Sequence, residues 1–363
     1  MFTISGFYNE AIVYAERSDV DDLAIAQIKD LLSRPFSRGS TIRIMSDVHS
    51  GAGCVIGTTM TIDKSVVPNL VGVDIGCGLV VVRLGDGDLD RAALDGYIRR
   101  AIPSGFSVRT TAHPYNDLID IDALICQSRV DASRARLSLG TLGGGNHFIE
   151  VNVDQGGRRY LAIHSGSRHI GLQVATHYQK LASGGERDSL AALTGSAFDD
   201  YIHDMQIMQR WADLNRQAMA DQIIEALGLA EVERFSTIHN YIDTAAMILR
   251  KGAVSARMGE RLIIPLNMRD GSLLCVGRGN AAWNYSAPHG AGRLMSRKEA
   301  KRTLSLKEYR RVMGDIYTTS VSKATLDESP EAYKSGATIL AHIGATVDVI
   351  EQIRPIYNYK AAE

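Results

Sequence analysis

Gly140-Thr141-Leu142-Gly143-Gly144-Gly145-Asn146-His147-Phe148-Ile149-Glu150 sets a histidine between a run of glycines and an apolar segment. Clustered glycines mean tight turns, close backbone approach or contacts to phosphate. His147 here and His164 in Ile163-His164-Ser165-Gly166-Ser167-Arg168 each follow or end a β-like run, and a strand end holds a ligand on a fixed backbone. Outward from this stretch, short β-rich runs (Thr41–Met45, Cys54–Ile62, Leu79–Leu84) alternate with glycine loops, and Arg159–His164, Leu262–Pro265 and Ser272–Val276 read as further strands. Asp21–Leu32 has helical spacing with Pro35 just beyond, residues 88–135 read mainly as helices, and Phe198–Leu227 is the longest helical candidate. Ser296-x-x-Glu299 and Ser305-x-x-Glu308 fit capping boxes. Ser329-Pro330 predicts a last helix running to about Gln352. Strands and helices mix without regular alternation, which predicts an α+β fold rather than a doubly wound sheet. The expectation is a single compact catalytic domain over residues 1–363, with mixed β-sheets surrounded by helices.

The 363 residues are ample for a substantial core, and a formal net charge of −1 means that any surface for nucleic acid is local rather than global. Cys54, Cys77, Cys126 and Cys275 are widely spaced, without a Cys-x-x-Cys pair. The N-terminus lacks a basic segment followed by an apolar one, and no stretch approaches a membrane span. These features predict a cytoplasmic, reducing setting, in which a cysteine flanked by Asp and Gly is of more interest as a ligand than as half a disulfide.

Four of the ten histidines lie in loop-like segments: His147, His164, His239 before Asn240, and His289 in Pro288-His289-Gly290-Ala291-Gly292-Arg293. A fifth segment, Val73-Asp74-Ile75-Gly76-Cys77-Gly78, carries a carboxylate and a thiol that can point at one ion. A turn with a buried thiol is the plainer reading of that segment alone, and the case rests on the accumulation of all five. Thiolate plus imidazoles suits zinc, whereas a shared thiolate with Asp and several His also suits a two-metal phosphoryl-transfer site. His289 differs: the small residues after it expose backbone N–H groups to an anion, and a neutral imidazole is a competent nucleophile toward phosphorus. An incidental histidine in a surface turn is the alternative. There is no Gly-x-x-x-x-Gly-Lys, no Lys-x-Asp-Gly and no full dinucleotide fingerprint at Gly277-x-Gly279, which excludes those common nucleotide-handling devices.

Taken together, the stretches Asp47–Gly51, Ile56-Gly57, Gly72–Gly78, Gly140–Glu150, His164–Arg168, His239-Asn240, Ser286–Arg297 and Asp327–Lys334 resemble, in order, the RtcB family of RNA ligases. The Asn-His-Phe and His-Gly-Ala-Gly-Arg stretches are the specific ones. The resemblance implies two Mn²⁺ ions held by Asp74, Cys77, His147, His164 and His239, with Cys77 bridging. Mn²⁺ is then preferred against the ligand chemistry, which alone points to zinc. It also implies that His289 takes GMP from GTP. The implied GTP-binding positions are Asn146, His147, Phe148, Ile149, Glu150, His239, Asn240, Pro265, Asn267, Met268, Ser272, His289, Gly290, Ala291, Gly292 and Lys360. The implied activity joins an RNA 2′,3′-cyclic phosphate or 3′-phosphate to a 5′-hydroxyl, in tRNA splicing or RNA repair. Arg168 and Arg293 are candidates for RNA phosphate, and an archease-type activator is a partner that the resemblance brings with it. The chain departs from the family pattern at Pro265-Leu266-Asn267-Met268-Arg269, where many members have Pro-Gly-Ser-Met-Gly, and at His169, where glycine is common. Two other readings stand beside ligation: a nucleotidyl transferase that caps 3′-phosphate ends without joining them, and a non-catalytic RNA-end-binding protein.

Overall fold

The structure is a computed structural model that describes residues 1–361. Two large sheets organise it. The first has six strands in the spatial order Phe2–Ser5, Glu10–Val13, Ile42–His49, Ile56–Thr61, Ile248–Lys251 and Asn240–Asp243. The second has seven, in the order Glu231–Ile238, Gly78–Leu84, Arg159–Ser165, Phe148–Val153, Val347–Lys360, Gly271–Gly277 and Arg261–Asn267. Within these two sheets only the pair Glu10–Val13 and Ile42–His49 runs parallel; the other neighbours are antiparallel. The expected α+β mixture is what the chain forms.

The central strands of the second sheet are apolar on both faces because both faces are covered. Val80, Val82, Ile149, Val151, Leu161 and Ile163 pack with Met219 and Ile223 of the helix Ser196–Ala226. Leu79, Val81, Phe148 and Ala162 pack on the opposite side with Ile263 and Ile353. The 31-residue helix carries an inward stripe at Tyr201, Met205, Met208, Ala212, Asn215 and Met219, the spacing of one helical face. Each large apolar side chain on it that is fully buried contributes about 1.5–3 kcal/mol. Asn215 and Arg216 are buried among these apolar residues and are fully inaccessible.

The predicted helix Asp21–Leu32 forms over Asp22–Leu32, capped by the Asp21 carboxylate on Ala24 N–H. Ser296 and Ser305 cap Arg297–Thr303 and Leu306–Met313 as their capping boxes predict. The expected last helix is the main correction. Only Pro330–Ala332 (one 3-10 turn) and Gly336–Ile343 are helical, and Val347–Lys360 is a strand of 14 residues between Phe148–Val153 and Gly271–Gly277. Val347, Val349, Ile350, Ile353, Tyr357 and Tyr359 are β-branched or aromatic, and Pro355 lacks the N–H that a helix interior needs. The four cysteines are free and buried, and no helix of the described residues is long and apolar enough to cross a membrane.

Candidate active site

Strand register gathers the scattered histidines. Gly78 pairs with Ser165 and with Ile238, and Phe148 pairs with His164. Cys77, His147, His164 and His239 therefore fall at the same end of four adjacent strands. Cys77 Sγ lies 3.3 Å from His164 Nε2 and 3.6 Å from His147 Nε2. His164 Nε2 is 3.4 Å from His239 Nε2, and Asp74 Oδ2 is 3.0 Å from His147 Nε2. Asp74 reaches the cluster from a tight loop whose Gly76 adopts φ +70° and packs on the long helix, where an added Cβ would sit 2.9 Å from Gln209 Cα.

The donor set fits a metal ion. His147 Nδ1 lies 2.9 Å from the Leu142 carbonyl and His164 Nδ1 lies 3.2 Å from the Asn146 carbonyl. A ring that donates from Nδ1 presents a lone pair at Nε2, the arrangement usual for a ligating histidine. Those lone pairs then face the Asp74 carboxylate, the Cys77 sulfur and one another, a concentration of acceptors that a shared cation relieves. Burial and the neighbouring imidazoles hold His164 and His239 well below the usual histidine pKa, so both are neutral and ready to coordinate. Burial and then Asp74 push the Cys77 thiol up, and a bound cation reverses that push. Burial would raise Asp74, but its contacts with His147, Arg168 and Cys77 together outweigh the burial, and the carboxyl falls well below its ordinary range. Cys77, His147 and His164 offer ligand atoms that all lie within 4.8 Å of one another.

His289 stands beside this cluster, its ring centroid 4.8 Å from that of His239. The fully buried Asp47 sits 2.6 Å from His289 Nδ1 and also accepts from His289 N–H at 3.1 Å. One carboxylate thus fixes both backbone and ring, and a ring that donates from Nδ1 to Asp47 leaves its lone pair at Nε2, on the far side of the ring. Gly292 packs on the Asp47 carbonyl so closely that a Cβ would sit 2.3 Å from it, which ties the His-Gly-Ala-Gly segment to the strand carrying Asp47.

His289, His164, His239, Asp74 and Cys77 line a cavity of about 300 Å³, the lower end of the range for small-ligand sites. Phe148, Glu150, Lys360, Arg293, Arg297, Glu328 and Tyr333 line the same cavity, with the Phe148 ring 5.3 Å from that of His164. Burial raises the Glu150 pKa to about 7 against the pull of Lys360, Asn152 and Asn358. Lys360 Nζ lies 2.6 Å from Glu328 and 5.0 Å over the Phe148 ring. Glu328 also receives Arg297 at 2.6 Å and the Tyr333 hydroxyl at 2.8 Å. Burial opposes its ionisation, but Lys360 and Arg297 prevail and bring it down to about 2.

Most of the residues expected from sequence meet here. Asn146, Phe148, Glu150, Asn240, Pro265, Asn267, Met268, Gly290, Ala291, Gly292 and Lys360 all line the cavity. His147 sits behind the lining, within the cluster. Ile149 and Ser272 lie elsewhere: strand alternation turns Ile149 into the core against the long helix, and Ser272 is fully buried with no partner for its hydroxyl. Asn267 caps its own turn, accepting from Arg269 and Asp270 N–H groups. Arg293 is tied to the Asp327 and Met295 carbonyls, and Arg168 to the Gly105 carbonyl at 3.1 Å. Sequence reasoning assigned no role to Asp47, Arg297, Glu328 or Tyr333. The available signal was only their place in stretches that match the family pattern: Asp47 in Asp47–Gly51, Arg297 in Ser286–Arg297, Glu328 and Tyr333 in Asp327–Lys334.

Fold and site together place the Asp47–His289 pair and a metal-ready cluster in one cavity. Comparison with known proteins defines the class as RNA-splicing ligases. A family model described as tRNA-splicing ligase RtcB matches residues 27–124 and 125–361. The RNA-splicing ligase RtcB of Escherichia coli strain K12 is 32% identical over 88% of this chain and 90% of its own length. The tRNA-splicing ligase RtcB of Nanoarchaeum equitans is 28% identical over 86% of each chain, and that of Aeropyrum pernix 27% over the same shares. The chain belongs to the RtcB family.

Proposed function

We propose that this protein joins RNA ends with GTP: His289 takes GMP, passes it to an RNA 3′-phosphate, and a 5′-hydroxyl displaces it. The observation that carries the reading is the Asp47–His289 pair beside the cluster, a nucleophile fixed in tautomer and direction. Asp74, Cys77, His147, His164 and His239 would hold Mn²⁺, two ions by family resemblance, and the metal would supply polarisation of phosphate oxygens. His289 Nε2 forms a bond to the α-phosphorus of GTP as the bond to pyrophosphate breaks. Asp47 stabilises the positive charge that the ring gains. The RNA 3′-phosphate then attacks the same phosphorus, freeing His289, and the 5′-hydroxyl attacks the activated phosphate, releasing GMP. A 2′,3′-cyclic phosphate end is first opened by water.

Gly290, Ala291 and Gly292 leave room for phosphate oxygens near their backbone. The Glu150 carboxylate and the Lys360 ammonium offer an acceptor and a donor, the pair that the N1–H/N2–H₂ and O6 edge of guanine requires, and Phe148 offers an apolar face beside them. Asn146, Asn240, Pro265, Asn267 and Met268 complete the nucleotide pocket. Incubation with α-labelled GTP and Mn²⁺, with and without an archease-type partner, tests the first step. Label on denatured wild type and none on His289→Ala is expected; equal label on both removes His289 from the mechanism. Joining of a 3′-phosphate RNA to a 5′-hydroxyl RNA then separates ligation from end capping.

A further inference from the structure

The long helix Ser196–Ala226 buries two polar residues that the chemistry above does not use. Asn215 Oδ1 accepts from Gly140 N–H at 2.8 Å and Thr141 N–H at 3.0 Å. Its Nδ2 lies 3.1 Å from the Thr141 carbonyl, 3.1 Å from Ser165 Oγ and 3.2 Å from the Gly166 carbonyl. Arg216 Nη1 donates to the Gly76 carbonyl at 2.7 Å and to the Ser165 carbonyl at 2.8 Å. Both side chains are wholly inaccessible, and Arg216 Nε and Nη2 have no hydrogen-bond partner.

These contacts fall on three segments: the loop that leads to His147, the residues just after His164, and the residue just before Cys77. None of the three is adjacent in sequence to another, and each brings one thiol or imidazole to the cluster. The Arg216 charge is met in part by the Asp213 carboxylate, 3.7 Å from Nη2, but both of its hydrogen bonds go to the two loop carbonyls. We infer that Asn215 and Arg216 are positioning residues for the metal-binding cluster, with Asn215 locking the loops of His147 and His164 together and Arg216 locking Cys77 to His164. The inference rests on the metal reading of the cluster given above. Adjacent helix positions point about 100° apart, which is how one helix serves the His147 loop with one residue and the Cys77 loop with the next. The long helix thereby becomes the common base of the site.

The test is Mn²⁺ affinity and stoichiometry by equilibrium dialysis of the metal-stripped full chain, with Co²⁺ absorption as a direct report of thiolate coordination. Arg216→Met is expected to weaken Mn²⁺ about 10–100-fold, the usual cost of losing an outer support of a metal ligand, and to dim the thiolate-to-cobalt band. Arg216→Lys should recover part of both, because an ammonium can serve two carbonyls, as Lys251 does with those of Ala52 and Asn69. Ile223→Ala, in the apolar core on the same helix, controls for stability and should bind as wild type does. Should Arg216→Met not fold, Asn215→Ser carries the same expectation. Unchanged affinity and an unchanged cobalt band in the folded variants overturn the inference, as does an equal loss in Ile223→Ala. A wild type that takes up no metal overturns the metal reading, and this inference with it.

Discussion

Replacing Asp47 by Asn separates orientation from charge at the nucleophile. The carboxylate accepts from both the ring and the backbone of His289, and Asn keeps the size and one acceptor oxygen, so the ring stays oriented. What the variant loses is the negative charge facing an imidazole that becomes cationic as the nitrogen–phosphorus bond forms. A hydrogen bond to a charged group contributes about 1.5–3 kcal/mol, and about 1.4 kcal/mol corresponds to a factor of ten in rate. Guanylylation of Asp47→Asn should therefore slow about 10- to 150-fold. Stability should hold or rise, because Asp47 is fully buried and its Oδ1 has no partner, and removing a buried charge spares its desolvation. The assay is single-turnover label transfer from α-labelled GTP at saturating Mn²⁺, beside a melting curve and a metal analysis. A rate within about twofold of wild type would refute the role given to the carboxylate. Loss of bound metal in parallel with the rate would relocate its effect to the cluster.

Cys77→Ala should abolish ligation and strip bound metal, since its sulfur lies between His147 and His164; a variant that ligates with full metal content would remove the shared-thiolate reading. Gly166→Ala should weaken Mn²⁺ about tenfold or more, because the new Cβ would stand 2.3 Å from the Asp74 carboxylate; dialysis against a Mn²⁺ series reads this, and unchanged binding would show that Asp74 is free to move. Glu150 sits near pKa 7, raised by burial from 4.5, so the carboxylate proposed to accept from guanine forms as pH rises. GTP affinity should climb from about pH 6 to about pH 8, and Glu150→Gln should flatten the profile. Stability moves the other way. The folded form holds the proton above the unfolded pKa, so this group costs about 3 kcal/mol as pH rises from 4.5 to 7, then nothing further. Chemical denaturation of wild type and Glu150→Gln across that window checks the sign.

The fold was legible where local chemistry decided it. Asp21, Ser296 and Ser305 start their helices with side-chain caps, and a cap needs only residues within a turn of it. The segment after Ser329 was not legible by that route. Pro330 suits a helix start, but the slot between Phe148–Val153 and Gly271–Gly277 lies far away in sequence, and filling it makes Val347–Lys360 a strand. Tertiary pairing overrode a correct local signal.

The site divides the same way. Histidines beside glycine and asparagine mark a site only together: one alone reads as a hydrogen-bonded structural residue, and the accumulation of five such segments is what pointed here. Supports do not mark themselves: Asp47 meets His289 across 242 residues, and nothing near Asp47 in sequence announces a partner. Asn215 and Arg216 were more accessible than that. They interrupt a helical stripe made of Tyr201, Met205, Met208, Trp211, Ala212 and Met219, and a polar pair inside an apolar stripe must find its hydrogen bonds somewhere in the core. The question of where those bonds go can be asked from sequence alone. The structure answers that they go to the backbone on either side of the metal-type residues, so the conflict with the hydrophobic pattern itself pointed to the site.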